Sequence, residues 1–429
     1  MRQRAVLPAV LVVLALGASA CAYLKPGAGA FQLEVRVGPP GAHADRVVEV
    51  SAPGLAPGTA ATVEVRLDRP RHAPVATGAA LPFAFTLPGD AAGPGAHVVF
   101  ALARSGRDQR RGLGGFDNRP RLNQLQAVGT HNSYHLAPLD EPWSGIEAWQ
   151  VSMSSPGVQL AEEGVRQFEL DVNVANDGSG RLDVFHVPIV DARTTCLALV
   201  DCLGEIKTWS DAHPAHAPVA VLLELKDNDL GFPVPYGFWD PASLDALDAL
   251  IRGVFDEDEM FTPDDLRGGY ASLPEAIATD GWPTIDTVRG QVMFLMDNGG
   301  TLRSWYTEGR PALEGRVLFT NASPGAPDAA FVKRNDPIPE AAEISVLVAA
   351  GYVVRTRADA DTVEARANDT TRRDAALESG AHWVSTDFAV PGRAFGSPYY
   401  VVAPGGTPSR CNPVNTALWC ESRMIEALP

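Results

Sequence analysis

Gly129-Thr-His-Asn-Ser-Tyr-His135 closes a short apolar run, and three runs downstream end in the same way: Phe168-Glu-Leu-Asp171, Phe185-His186 and Leu223-Glu-Leu-Lys226. Polar side chains at the carboxyl ends of successive strand-like segments suit a parallel barrel, whose chemistry lies at that rim. The surrounding pattern agrees. Strand-like runs lie near 125–130, 166–171, 182–187, 219–226, 291–297, 316–320, 352–357 and 382–387, and helical patterns alternate with several of them. The segment from Ser243 to Phe255 carries Leu244, Leu247, Leu250, Ile251 and Val254 on one helix face, with Ser243 placed to cap it. Segments 340–350 and 362–379 read as helices closed by Gly351 and Gly380. Eight strands among helices predict an α/β fold, a (β/α)8 TIM barrel, over 121–429. The barrel is expected to be distorted, because the connections after the second and third strands are too short for full helices.

Upstream the pattern is different. Residues 31–105 hold short alternating runs broken by Gly and Pro, such as Ala61-Thr-Val-Glu-Val-Arg-Leu67 and His97-Val-Val-Phe-Ala-Leu102. Period-two alternation with frequent turns predicts a small all-β, immunoglobulin-like sandwich. Residues 106–120 are charged and then glycine-rich, and read as a linker. At the start, Arg2 and Arg4 precede the apolar run Ala5 to Leu16, and Ala18-Ser-Ala20 suits a cleavage site. Residues 1–20 therefore read as a signal peptide and 21–30 as a tether. No later segment reaches the roughly 18 continuous apolar residues of a spanning helix.

The chain of 429 residues carries a net charge of -17 and five cysteines. That charge argues against nucleic acid, whose backbone needs clustered Lys and Arg. The lysines are Lys25, Lys207, Lys226 and Lys333, so one inside the polar constellation is notable. Cys196 with Cys202 and Cys411 with Cys420 form close pairs that suit an oxidising compartment. Cys21 is left over. The expectation is an exported protein, either secreted or lipid-anchored through Cys21.

Strand periodicity places Glu169 and Asp171 on one face of the second strand, and Glu224 and Lys226 on one face of the fourth. Buried carboxylates repel unless a cation lies between them. Asn132, Glu169, Asp171 and Glu224 offer hard oxygen ligands, which suit Ca²⁺, and Mg²⁺ less well. His131 and His186 are then free to move protons. The set fits metal-assisted attack on a phosphodiester.

The order His131-Asn132, Glu169-x-Asp171, His186, Glu224 resembles the phosphatidylinositol-specific phospholipase C superfamily, its calcium-dependent branch in particular. The likeness runs from about Leu122 to Val390, and Trp383-Val-Ser-Thr-Asp-Phe388 is similar to that family's last strand. The resemblance implies a distorted TIM barrel, His131 as general base, His186 as general acid, and Asn132, Glu169, Asp171 and Glu224 as calcium ligands. It implies an intramolecular reaction, in which the inositol 2-hydroxyl attacks the adjacent phosphorus and diacylglycerol leaves. Lys226 matches a substrate-contacting position loosely.

Asp297, Asn321, Arg357 and Asp387 end later strands and are candidates for holding sugar hydroxyls or phosphate, Asp297 and Arg357 foremost. Trp143, Trp149 and the segment from Leu230 to Trp239 either touch a lipid surface or pack within their loops. Two alternatives stay open. A glycerophosphodiester phosphodiesterase shares the barrel but normally carries His-Arg-Gly where this chain has His131-Asn132-Ser133. A non-catalytic, surface lipid-binding barrel would need no histidines.

Overall fold

The computed structural model describes residues 33–227 and 234–426. The expected signal peptide, tether and Cys21 lie outside the described residues. The chain divides into two compact units, one reaching Pro120 and including Thr416–Trp419, the other Arg121–Asn415 with Cys420 onward.

The first unit holds β1 (Glu34–Val37), β2 (Arg46–Ser51), β3 (Thr59–Leu67), β4 (Ala76–Leu81), β5 (Phe83–Leu87), β6 (Ala96–Ser105) and β7 (Asp108–Asp117). They form two antiparallel sheets, ordered β1-β2-β5 and β4-β3-β6-β7. Alternation does the work expected of it: Val48 and Val50 are fully buried, while Val47 between them and the turn is exposed. They meet Val63, Val65, Val99 and Ala101 of the other sheet in one core, which makes a sandwich. The expected linker 106–120 is corrected here, because most of it is β7, paired with β6 from Ser105↔Asp108 to Ala96↔Asp117. Its glycines serve close approach rather than flexibility. A Cβ on Gly112 would stand 2.4 Å from Leu33 O, and one on Gly114 2.8 Å from Val35 Cγ1.

The second unit contains β8 (Leu125–Thr130), β9 (Gln167–Val174), β10 (Leu182–Val184), β11 (Val219–Lys226), β12 (Val292–Met296), β13 (Leu318–Thr320), β14 (Phe331–Lys333), β15 (Val353–Arg357), β16 (Trp383–Thr386) and β17 (Ser409–Cys411). Eight of these form a parallel sheet in the order β13-β12-β11-β9-β8-β16-β15-β14. A parallel bridge between Asn321 and Phe331 joins its ends, giving a nearly closed TIM barrel. Both faces of such strands are covered, which explains why Val292–Met296 is apolar throughout and wholly buried.

Two strand assignments change. The run 182–187 is no barrel strand: β10 turns back antiparallel on β9, with Val184 opposite Val172. The missing barrel strand is β14, too short at three residues to show any periodicity. The helix over Pro241–Val254 is capped by Asp240, whose Oδ1 accepts from Ser243 N at 2.7 Å, so Ser243 sits in its first turn. The expected helix 362–379 is two, Val363–Ala367 and Thr371–Glu378, parted at Asn368 with φ 52°. Gly351 and Gly380 have φ of 95° and 85°, as helix-closing glycines should. Both expected disulfides, Cys196–Cys202 and Cys411–Cys420, are formed.

Gly129 is where the opening motif meets the barrel wall. A Cβ there would lie 2.0 Å from Gln167 Oε1 and 2.8 Å from Gln167 Cβ, and Gln167 is fully buried with no room to swing away. Gly129→Ala is therefore expected to destabilise the barrel by about 1–3 kcal/mol. The urea midpoint of unfolding reads this out, and an unchanged midpoint contradicts it.

Candidate active site

The turn after β8 is clamped to its neighbours on both sides. Ser133 N donates to Glu169 O, Glu169 N donates to Ser133 Oγ at 2.8 Å, and His131 N donates to Thr386 O. Asn132 takes a left-handed conformation, φ 44°, which asparagine tolerates well. Its Oδ1 accepts from Tyr134 OH at 3.4 Å. His131 Nδ1 stands 2.9 Å from Asp387 Oδ1, at the end of β16. The carboxylate selects the tautomer with hydrogen on Nδ1 and leaves Nε2 as a free acceptor, 4.0 Å from Glu169 Oε1. Burial first, and then the Arg357 charge, hold the His131 ring well below its ordinary range, so it stays an unprotonated base.

Glu169 and Asp171 share one face of β9, and Asp171 lies opposite Glu224 in the register with β11. One oxygen from each of the three carboxylates falls within 4.8 Å of the others. Glu169 is neutralised by Arg355, a fully buried guanidinium from β15 bonded to its Oε2. Asp171 is completely buried, and neither of its oxygens accepts an aligned hydrogen bond. Lys226 Nζ comes within 2.9 Å of Asp171 Oδ2 and 2.9 Å of Glu224 Oε1, a charge contact without good directionality toward Asp171. Burial and the Glu224 charge push Asp171 well above the carboxylate range, and Lys226 only partly offsets them. For Glu224, burial acts upward too, but Lys226 outweighs it and holds the group low. Lys226 is itself pulled upward: burial disfavours its charge, and the two carboxylates more than compensate.

This set fits a divalent cation. A buried carboxylate with unused oxygens, flanked by two more, is short of positive charge and of ligands for its lone pairs. A second group, His135, His186 and Asp191, is also close enough to hold a metal. There, however, the facing atoms already bond one another: His135 Nε2 lies 2.8 Å from Asp191 Oδ1 and His186 Nδ1 2.7 Å from Asp191 Oδ2. The hard-oxygen group is the metal candidate, and the imidazole group is a hydrogen-bonded network.

His186 follows β10, so an antiparallel excursion carries it rather than a barrel strand. Its side chain is 24% exposed and lies edge-on to Trp149, ring centres 5.8 Å apart. With Nδ1 turned to Asp191, Nε2 is left for chemistry. The remaining expected residues are engaged differently from one another. Lys226 sits among the carboxylates. Asp297 Oδ2 pairs with Lys333 Nζ at 2.5 Å, while its buried Oδ1 accepts nothing. Arg357 Nη2 is 3.6 Å from Asp387 Oδ2, beside the His131 ring. Asn321 holds the Asp297 carbonyl at 3.3 Å.

Four participants escaped the sequence reading. Arg355 was within reach, because period two puts it on the face of Arg357. Lys333 ends a three-residue strand with no pattern to mark it. Asp191 lies in an irregular loop. Asp359 accepts from Asp387 N at 2.9 Å and from Tyr399 OH at 3.2 Å, bracing the residue that supports His131. Burial and the nearby Asp387 charge raise Asp359 to about 7. Of the aromatic segment, Leu230–Pro233 lies outside the described residues, Trp239 is buried at 2%, and Phe238 is 61% exposed. Leu139, after β8, and Ile189, after the β10 excursion, are 73% and 69% exposed.

A family model described as phosphoinositide phospholipase C, Ca²⁺-dependent, matches residues 178–413. No curated protein matches the chain. Among solved structures, a calcium-dependent phosphoinositol-specific phospholipase C from Pseudomonas sp., in its myoinositol complex, is similar at 18% identity and TM-score 0.48, covering 68% of this chain and 96% of that one. A Ca²⁺-dependent phosphatidylinositol-specific phospholipase C from Streptomyces antibioticus is similar at 20% identity and TM-score 0.44, covering 63% and 95%.

Calcium at a hundredfold its Kd is expected to stabilise the folded chain by about 2.7 kcal/mol. Asp171→Asn removes a buried charge that Lys226 only partly offsets, so it should melt at or above the wild type in chelator and lose most of the calcium shift. Calorimetric melting with calcium and with chelator measures both. A full calcium shift in Asp171→Asn contradicts the assignment.

Proposed function

The chain belongs to the calcium-dependent phosphoinositide phospholipase C family, and on that premise we propose that its barrel mouth cleaves phosphatidylinositol to diacylglycerol and a cyclic inositol phosphate. The family makes it a phosphodiesterase with a calcium requirement. The observation that carries the finer reading is the difference between the two histidines beside the carboxylate group. Both face a buried aspartate at Nδ1, but burial and then the adjacent Arg357 charge keep His131 an unprotonated base with Nε2 open, whereas His186 shares its aspartate with His135.

In the proposed reaction His131 Nε2 takes the proton of the inositol 2-hydroxyl. That oxygen forms a bond to phosphorus as the bond from phosphorus to the glycerol oxygen breaks. His186 Nε2 gives its proton to the departing oxygen. Asp387 keeps the His131 tautomer and ring orientation fixed, and Arg357 beside it favours the neutral ring until the proton arrives. Glu169, Asp171 and Glu224, with Asn132 at the adjoining turn, would hold the calcium ion, which when bound supplies positive charge to the phosphoryl oxygens. Lys226, Lys333 and Arg357 add fixed positive charge that suits an anionic head group, and Asp297 suits a sugar hydroxyl. Because the nucleophile belongs to the substrate, no water needs positioning in this step.

Exposed Leu139, Ile189 and Phe238, on loops following β8, β10 and β11, support work at a lipid surface. The two disulfides support a site outside the reducing cytoplasm. Export by residues 1–20, as a secreted chain or one anchored through Cys21, completes the reading.

Phosphorus NMR of the products from phosphatidylinositol, with calcium and with chelator, tests the proposal. A cyclic phosphate should form only with calcium. His131→Ala and His186→Ala should each lower the rate by about 10²–10⁴-fold, the usual worth of general acid–base catalysis. Turnover that persists in chelator, or both variants matching the wild type, rejects it.

A further inference from the structure

His135 ends the opening motif, yet the reaction above gives it no part. It is 4% exposed, and its ring is held from three directions. Nδ1 lies 2.9 Å from Val151 O. Nε2 lies 2.8 Å from Asp191 Oδ1 and 3.0 Å from Asp191 Oδ2. The backbone is pinned as well, by a bridge to Thr194 and by Met153 N donating to His135 O at 2.8 Å. A carbonyl and an ionised carboxylate can only accept. Both ring nitrogens therefore face acceptors, which fix the ring between the Val151 carbonyl and Asp191.

Asp191 is the shared partner. It is 1% exposed, it bridges His135 and His186, and its own backbone is tied to Val187. With Oδ1 held by the fixed His135 ring, its Oδ2 stays aimed at His186 Nδ1.

We propose that His135 is a positioning residue for proton donation: it fixes the orientation of the Asp191 carboxylate, and Asp191 in turn holds His186 Nδ1–H so that Nε2–H faces the departing oxygen. Burial alone would raise Asp191, yet hydrogen bonds from His135 and then His186 hold it below the carboxylate range. The rings of His135 and His186 meet edge to face, centres 6.1 Å apart. The chain His135–Asp191–His186 thus parallels Asp359–Asp387–His131 on the opposite role, one bracing the donor and one the acceptor.

The inference rests on His186 being the proton donor, and the test separates the two. Phosphatidylinositol expels an alkoxide, which needs protonation. A nitrophenyl inositol phosphate expels a phenolate, which hardly does. With calcium saturating, His135→Leu should slow phosphatidylinositol cleavage by about 10- to 100-fold, part of the roughly 10²–10⁴-fold that acid catalysis contributes. On the nitrophenyl substrate the same variant should stay near the wild-type rate. His135→Gln keeps one donor toward Asp191 and should show the same selectivity with a smaller loss, which covers the case in which the leucine variant does not fold. Equal losses on both substrates, or no loss on either, overturn the proposal and leave His135 a structural brace. If His186→Ala is itself hit equally on both substrates, the donor assignment falls first.

Discussion

Asp171 stands opposite Glu224 on adjacent parallel strands, with Glu169 two residues before it on the same face, and charges so placed cannot coexist in a dry barrel mouth without cations. At separations up to 4.8 Å, each pair of unit charges repels by about 3 kcal/mol or more at an effective dielectric of 20. That is a large part of the net stability of a domain. The protein answers with fixed cations: Arg355 for Glu169, and Lys226 between Asp171 and Glu224. The answer is incomplete, because Asp171 keeps unused lone pairs. The incompleteness is what suits the mouth to a divalent cation and sets it apart from a merely salt-bridged core. The β9–β11 register therefore matters more than any single ligand, since a one-residue slip would turn Glu169 and Asp171 to the outer face of the barrel.

The two histidines differ through their surroundings, not through their own chemistry. Each is held at Nδ1 by a buried aspartate, which fixes the working nitrogen as Nε2. The two side chains are about equally exposed, but His131 stands next to Arg357, where a second positive charge is unwelcome. His186 lies behind an aspartate that two rings share. Environments that separate two similar groups in this way are how one site provides both a base and an acid.

Much of this was legible in the chain before any coordinates. Glu169-x-Asp171 and Glu224-x-Lys226 reveal their common face through period two alone, and Gly129 through His135 marks the turn over β9. What escaped did so for definable reasons. Strand signals do not tell parallel from antiparallel pairing, so Leu182-Asp-Val184 passed for a barrel strand. Phe331-Val-Lys333 is shorter than any period can register. The glycines of β7 look like linker composition, although Gly112 and Gly114 are there to admit Leu33 and Val35. Asp191 belongs to a loop whose shape depends on contacts distant in sequence, with His135 above all. The expected eight-strand count was correct, with one member wrong on each side.

β10 separates the two sides of the mouth. Because it is a side branch of β9 and not a stave of the barrel, the segment from Ala175 to Arg193 lies outside the parallel strand pairing that closes the sheet. His131 is tied into the barrel between β8 and β16, whereas His186 rides on this branch. In the reaction proposed above, the departing-group side therefore stands apart from the strand pairing that fixes the attacking side.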